Sequence, residues 1–226
     1  MELTGFSIAH LSDLHLDGLK TLKWFQSIIM RVNNLNPDLI VITGDLIDSA
    51  CDGLEKFCEP LRQLKAPYGV FAITGNHEYY VGINRFLEFA EKSNIIVLRN
   101  SSRTIANAIE LIGIDDDTGK RFSLAGSDLK KAIANCDSSK PLILLSHQPK
   151  YFTEVSAMGI DIQLSGHTHA GQIPPMDLIV SLLYEYPYGL YRNDSSYIYT
   201  SCGTGTWGPP MRLFSRSEIV KIILVN

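Results

Sequence analysis

Aspartate and histidine stand one residue apart at Asp13 and His15, and similar groups recur along the chain. Asp45 and Asp48 lie in GDLID, Asn76 and His77 in GNHE, His147 stands alone, and His167 and His169 lie in GHTH. Carboxylates, an amide oxygen and imidazoles without a thiolate suit a borderline divalent ion: Mn²⁺ first, with Fe²⁺ or Zn²⁺ as alternatives. Ca²⁺ wants oxygen throughout, and structural zinc mostly sulfur. In an extended backbone, residues i and i+2 point to the same side, so His167 and His169 are expected to converge on one small volume. These donors are too many for one ion. Two ions can share them if one carboxylate bridges, at the separation of about 3.5–4 Å that serves in-line displacement at phosphorus. Of the six histidines only His10 falls outside the pattern; inside an apolar run, it reads as a packed or hydrogen-bonded side chain.

Positioning so many donors needs several strands. The runs FSIAHLS, LIVIT, VFAIT, IELIGI, LILLS and DIQLS are rich in Ile, Val and Leu and stop at small or turn-forming residues, as buried strands do. Most of the candidate ligands follow directly on such a run, at the carboxyl end where loops of an open α/β sheet gather into a site. Between the runs, Leu22, Phe25, Ile29 and Val32 keep helical spacing, and Phe86, Leu87 and Ala90 with Glu88, Glu91 and Lys92 mark a second amphipathic helix. Segments 53 to 65, 127 to 135 and 150 to 158 also read as helix. The alternation predicts an α/β fold with helices covering sheet faces. After about residue 160 the strand patterns SSYIYTS and EIVKIILV predict a second, more antiparallel sheet, with one ambiguous apolar piece near 178 to 184. No linker or repeat marks a boundary, so residues 1–226 are read as a single domain.

The totals narrow the class of protein. With 226 residues, 45% apolar and 19% charged, the chain can bury a core without disulfide support. A formal charge of −4 and the lack of a Lys/Arg run argue against general nucleic-acid binding, so an anionic ligand must find a local cation. Cys51, Cys58, Cys136 and Cys202 form no CxxC pair, and Cys51 and Cys58 on one helix would be out of disulfide reach; reduced thiols in a cytoplasmic protein are expected. No apolar run is long enough to span a bilayer and no signal pattern opens the chain, so any membrane anchor is expected to be absent or removed.

Taken in order, DLH, GDLID, GNHE, the lone His147 and GHTH resemble the motifs of the calcineurin-like metallophosphoesterases, over residues 13 to 169. The resemblance implies two packed mixed β-sheets flanked by helices, a four-layer α/β/β/α sandwich with a dinuclear site at one edge. It implies Asp13, His15 and His169 on one metal, Asn76, His147 and His167 on the other, and Asp45 bridging. A bridging water, acidified by the metals, would attack phosphorus. His77 would serve the leaving oxygen and Asp48 would orient His77; the plain reading of Asp48 is a helix cap. Ser49 stands where many Ser/Thr protein phosphatases of the superfamily carry Arg, which argues against a protein substrate.

The segment TSCGTGTWGPPMRLFSRSEI, residues 200 to 219, resembles a bacterial subgroup that includes membrane-associated phosphodiesterases and a UDP-2,3-diacylglucosamine pyrophosphatase. Here Gly203, Gly205 and Gly208 allow close approach to the metals, and Arg212 or Arg216 is a candidate for a second phosphate. Trp207 either stacks on a base or sugar or simply packs. The apolar stretch 174 to 191 either receives acyl chains and touches membrane lipid at the inner face, or covers a core or dimer face. DDD at 115 to 117 reads as a solvated loop. The substrate expected is a phosphodiester or pyrophosphate, nucleotide-linked or lipid-like, such as UDP-2,3-diacylglucosamine in lipid A synthesis; the alternatives are a phosphomonoesterase and a non-catalytic scaffold.

Overall fold

A computed structural model describes residues 3–48 and 53–225. Ser49 and Cys51, which entered the sequence argument, lie outside the described residues.

Four strands, β1 (Ser7–Leu11), β2 (Leu39–Ile42), β3 (Val70–Ala72) and β4 (Ile96–Val97), run parallel in sequence order. A second sheet begins with β5 (Ser101–Ile105), antiparallel to β6 (Ile109–Gly113), and continues in parallel through β7 (Leu142–Leu145), β8 (Ile162–Ser165) and β10 (Ser196–Thr200). The strand β9 (Gly189–Asn193) closes that sheet antiparallel to β10, and β11 (Val220–Ile223) returns to the first sheet, antiparallel to β1. The expected second sheet therefore exists, but it starts about sixty residues earlier than the composition change suggested. Its interior is parallel, and the last strand pattern belongs to the other sheet. Antiparallel pairing is confined to edge strands: β5 and β9 are joined to their partners by short turns, whereas β11 arrives from the second sheet through residues 201–219.

Alternation along each strand builds the layers. In β2, Leu39 and Val41 face β7 residues Ile143 and Leu145 across the gap between the sheets, while Ile40 and Ile42 face Phe25, Ile29 and Val32 of helix α1 (Leu22–Asn34). The short α2 (Cys58–Arg62), following a 3₁₀ turn, packs on the same outer face. The next pair, α3 (Asn76–Val81) and α4 (Ile83–Lys92), meets at Gly82, and α4 also packs on that face through Phe86, Phe89 and Ala90. Across the molecule, Leu142 and Leu144 of β7 meet α5 (Leu129–Ile133) and α6 (Phe152–Ala157) through Ala132 and Val155. The result is the helix, sheet, sheet, helix order that the resemblance implied. The ambiguous piece near 178 to 184 is a helix, α7 (Met176–Leu183), whose residues Leu178, Leu182 and Leu183 are exposed.

The DDD segment is not solvated. Asp115 and Asp116 are buried: Arg99 grips Asp115 through Nε and Nη2 at 3.0 Å each, and Asp116 caps Thr118 N–H at 2.8 Å and accepts from Gln148 Nε2 at 2.7 Å. Only Asp117, paired with Lys120, lies near the surface. Loop carboxylates are buried when they replace missing strand hydrogen bonds, and composition does not reveal that.

His10 is packed within β1, with Nε2 2.8 Å from Thr43 Oγ1. Burial, partly offset by the Asp13 carboxylate, pushes its imidazole down to about 4. The unfolded chain takes up this proton below about pH 6.5 while the folded protein refuses it until about pH 4, so this stability is complete above the window and lost as pH falls through it. In metal-free protein, wild type should lose about 2–3 kcal/mol more than His10→Asn between pH 7 and pH 4.5 in urea unfolding. Equal losses would show that the buried imidazole does not govern acid stability.

Candidate metal centre

Parallel pairing of β1 and β2 does not stop at the strand ends. Asp13 N–H donates to Gly44 O at 3.1 Å, His15 N–H to Asp45 O at 2.9 Å and Leu16 N–H to Leu46 O at 2.9 Å. That extension puts Asp13 and His15 in register beside Asp45. The loop after β3 adds Asn76 and His77, with His77 N–H donating to Asp45 Oδ1 at 2.9 Å. The loops after β7 and β8 are tied by Gly166 N–H to His147 O at 2.9 Å, and His167 N–H reaches both oxygens of Asp13 at 3.0 and 3.1 Å. Gly166 has no room for a side chain, since a methyl there would collide with Ser12 Oγ and the Asp13 carboxylate.

The ring nitrogens form two sets. His15 Nε2 lies 3.1 Å from His169 Nε2, and Asp13 Oδ1 lies 4.0 and 3.5 Å from the two rings. In the second set, His147 Nε2 is 3.1 Å from both Asn76 Oδ1 and His167 Nδ1. Asp45 Oδ2 stands between them, 3.8 Å from His15 Nε2 and 3.3 Å from His147 Nε2. Asp13, His15, Asp45, His147 and His169 are buried, while Asn76 and His167 are partly open.

His167 and His169 reach different sets, but not by the expected extended backbone. Thr168 N–H closes a turn onto Gly166 O at 2.8 Å, and both histidines have left-handed backbone, φ 71° and 52°. Asp13, His15 and Asp45 share that conformation at φ 53°, 46° and 49°. A run of non-glycine residues at positive φ is sterically costly, and such residues gather at functional sites. Convergence comes from turn geometry rather than from alternation along a strand.

Electrostatics bears on whether cations fit. Burial works against the charges of Asp13 and Asp45, yet neighbouring imidazoles hold both carboxyls below the usual range, Asp45 well below. Burial lowers His167 to about 4, with His147 adding to the effect, and His169 to about 3, with His15 and Arg212 adding to it. Both rings are therefore neutral with free lone pairs. At His147 burial is outweighed by Asp45, and its pKa rises well above the ordinary value: without a cation, this position gathers a proton. Its Nδ1–H donates to Thr43 O at 2.8 Å, directing Nε2 at the site. Imidazoles paired in two sets, with Asp13 in one and Asp45 between them, form a donor arrangement suited to divalent ions.

His77 lies beside the sets. Its Nδ1 is 2.8 Å from Asp48 Oδ1, and the other Asp48 oxygen is 3.4 Å from His15 Nδ1. Burial alone would lower the His77 pKa, but the Asp48 bond and the Asp45 charge raise it overall.

The predicted substrate residues fare differently. Trp207 is half exposed and lines a cavity of about 390 Å³ that opens on His15, Asp45, Asn76, His77, His167 and His169. Gly205 serves the metal loop instead: its N–H donates to Asp13 O at 3.0 Å, and a methyl there would strike the Leu14 carbonyl. Arg212 is likewise committed. Its guanidinium donates to the carbonyls of Cys202 and Gly205 at 2.7 Å and to Ser215 Oγ at 2.9 Å, and Nη2 lies 3.2 Å from His169 Nδ1. With Nε also donating to Gly205 O at 3.1 Å and Nη1 to His169 O at 3.3 Å, its donors are spent on carbonyls, a hydroxyl and a ligand ring and none is left for phosphate. Arg216 is exposed and does not line the cavity.

Sequence reasoning gave Glu78 no role. Fully buried, it accepts from the N–H groups of Asp45 (2.9 Å), Leu46 (2.8 Å), Ile47 (3.3 Å) and Gly75 (2.6 Å), joining the loops after β2 and β3. Burial and Asp45 raise its carboxyl to about 7, opposed by those N–H groups. The signal was its place three residues after Gly75, where a glutamate caps a helix start.

This α/β/β/α sandwich, with two sets of candidate metal ligands at the strand ends, points to a metal-dependent phosphoesterase, and the comparisons give the family. Residues 6–171 match the family model described as calcineurin-like phosphoesterase. The chain is 38% identical over 217 residues to an uncharacterized metallophosphoesterase of Helicobacter pylori, covering 95% of this chain and 58% of the relative. It is 39% identical over 234 residues to the Danio rerio transmembrane protein with metallophosphoesterase domain, covering 98% of this chain and 54% of the relative. Thus the chain spans little more than half the length of these relatives. A Danio rerio dimetal phosphatase shares the fold with TM-score 0.57 at 12% identity, covering 88% of each chain. The chain belongs to the calcineurin-like phosphoesterase family.

Two substitutions test the supporting shell. Glu78→Gln sets an NH₂ group against backbone N–H donors and should cost about 2–4 kcal/mol in urea unfolding; an unchanged midpoint would remove its organising role. Arg212→Lys should weaken Mn²⁺ binding about tenfold by calorimetry, since losing the hydrogen-bond partner of a ligand imidazole carries an effect of that order. A raised KM with metal affinity intact would return Arg212 to the substrate.

Proposed function

We propose that this protein hydrolyses a phosphodiester or pyrophosphate bond at two divalent ions, Mn²⁺ foremost, with Fe²⁺ or Zn²⁺ as alternatives. Asp13, His15 and His169 would hold one and Asn76, His147 and His167 the other, with the Asp45 carboxylate placed between the two sets. The observation that carries this reading is the position of Asp45 Oδ2, within 3.8 Å of a ring nitrogen in each set. When bound, the ion pair supplies charge for phosphoryl oxygens and acidifies a water. The protein's own groups do the rest. Asp48 accepts from His77 Nδ1–H, so the opposite nitrogen, Nε2, is free to give a proton to the leaving oxygen, and the raised pKa of His77 keeps that proton available near neutral pH.

The cavity beside His77 favours a substrate with an apolar portion. Met176, Ile179, Val180 and Leu183 of α7 line it as an apolar wall, together with Tyr184 and Trp207. Such a wall suits an acyl chain or a nucleobase, which is why a lipid-like or nucleotide-linked diester, UDP-2,3-diacylglucosamine among them, is preferred over a small monoester. Leu178 and Leu182, on the same helix and 65% and 87% exposed, add apolar surface outside the cavity and support peripheral contact with lipid. Among the described residues no helix is long and apolar enough to cross a membrane.

Metal-free protein should be inert towards bis(p-nitrophenyl) phosphate and recover on adding Mn²⁺, with p-nitrophenyl phosphate the poorer substrate. His77→Ala should lower kcat by about 10²–10⁴-fold, as loss of a general acid does, and Asn76→Ala should lower Mn²⁺ affinity as well. Undiminished rates in either variant would end the mechanism, and a preference for the monoester would end the diester assignment.

A further inference from the structure

A second cavity, of about 380 Å³, opens on the metal centre from another side. It shares Asn76, Tyr80, His167 and Tyr184 with the apolar cavity, so both border the same metal-ligand set. Its chemistry is different. The wall away from the ligands carries Arg121, Lys150, Gln148 and Thr118, and no aliphatic side chain.

The two cations sit on separate loops that the fold clasps together. Arg121 belongs to the 3₁₀ turn Asp117–Phe122, and Lys150 follows the loop after β7. Asp116, buried at the base, caps the first loop at Thr118 N–H and accepts from Gln148 Nε2 of the second at 2.7 Å. The one acid in this wall, Asp117, is neutralised by Lys120 at 2.7 Å and also accepts from Ser127. Among the described residues, Arg121 and Lys150 have no carboxylate within ion-pair distance. In a chain of formal charge −4, two unmatched cations facing a phosphate-binding centre are a local exception. They also supply what Arg212 cannot.

We infer that Arg121 and Lys150 form a subsite for a second phosphate of the substrate, placed next to the phosphoryl group held at the metal centre. The inference rests on the phosphoesterase reading and deepens it. The preferred substrate class becomes a diphosphate diester, or a phosphodiester bearing a neighbouring phosphate, with its apolar portion in one cavity and its second phosphate in the other. Arg121 offers paired N–H donors to phosphate oxygens and Lys150 a point charge.

The test uses two ligands that differ by one phosphate. Affinities of AMP and of ADP in its non-hydrolysable α,β-methylene form for Mn²⁺-loaded protein are measured by calorimetry at fixed free Mn²⁺, and the ratio of the two Kd values is the readout, which cancels any general change at the metals. Wild type should bind the ADP analogue at least about tenfold tighter, or about 1.4 kcal/mol. In Arg121→Ala/Lys150→Ala the ratio should fall below about threefold, and each single variant should lie between. A wild-type ratio near one, or a ratio unmoved by the substitutions, overturns the subsite. Because binding is read without turnover, failure of the subsite stays distinct from failure to hydrolyse bis(p-nitrophenyl) phosphate.

Discussion

Buried negative charge that only a cation can balance is the constraint from which the rest of this structure follows. Asp13 and Asp45 are almost fully inaccessible and share one small volume with neutral imidazoles. Isolated buried carboxylates would cost the folded state several kcal/mol each. Here imidazole and N–H partners offset part of that cost, and His147 is drawn towards its protonated form for the same reason. Metal affinity is thus the counterpart of an arrangement that would otherwise be unfavourable, and folding and metal binding are thermodynamically linked.

Glu78 solves a different problem in the same place. Loops beyond the ends of parallel strands leave backbone donors without ladder partners, and burying them requires acceptors. One carboxylate serves four of them across two loops, fixing Asp45 relative to Asn76 and His77. The opposite side is fixed by the Thr204 and Gly205 N–H groups, which pair with Ser12 and Asp13 carbonyls, and by Arg212, which holds that segment against His169. The spacing between the two donor sets is therefore set by backbone pairing.

The gathering of the candidate ligand residues at strand ends and the α/β alternation were legible in the sequence because both rest on local patterns, while the four-layer order came from the family resemblance. Apolar runs mark strands, and ligand-type residues at their ends mark the site edge. What escaped was settled by contacts distant in the chain. Arg212 reads as a phosphate binder until its donors are seen occupied by the carbonyls of Cys202 and Gly205, and DDD reads as solvated until Arg99 and Gln148 are seen gripping Asp115 and Asp116. Strand β11 could not be assigned to the first sheet from its composition, since antiparallel edge pairing has no signature in one strand alone. The extended geometry assumed for His167 and His169 failed because a single turn after β8 reverses the backbone.

That turn, with its companions at Asp13, His15 and Asp45, has a bearing on how such a centre can change. Among side chains other than glycine, the left-handed region is entered most readily by Asn, Asp and His. Asp and His are also among the commonest donors to divalent ions, and Asn supplies an amide oxygen. Conformational demand and coordination chemistry thus select from one short alphabet at these positions. Exchanges within that alphabet can retune metal preference while leaving the loops intact, whereas glutamate or cysteine would have to overcome the backbone before coordinating anything.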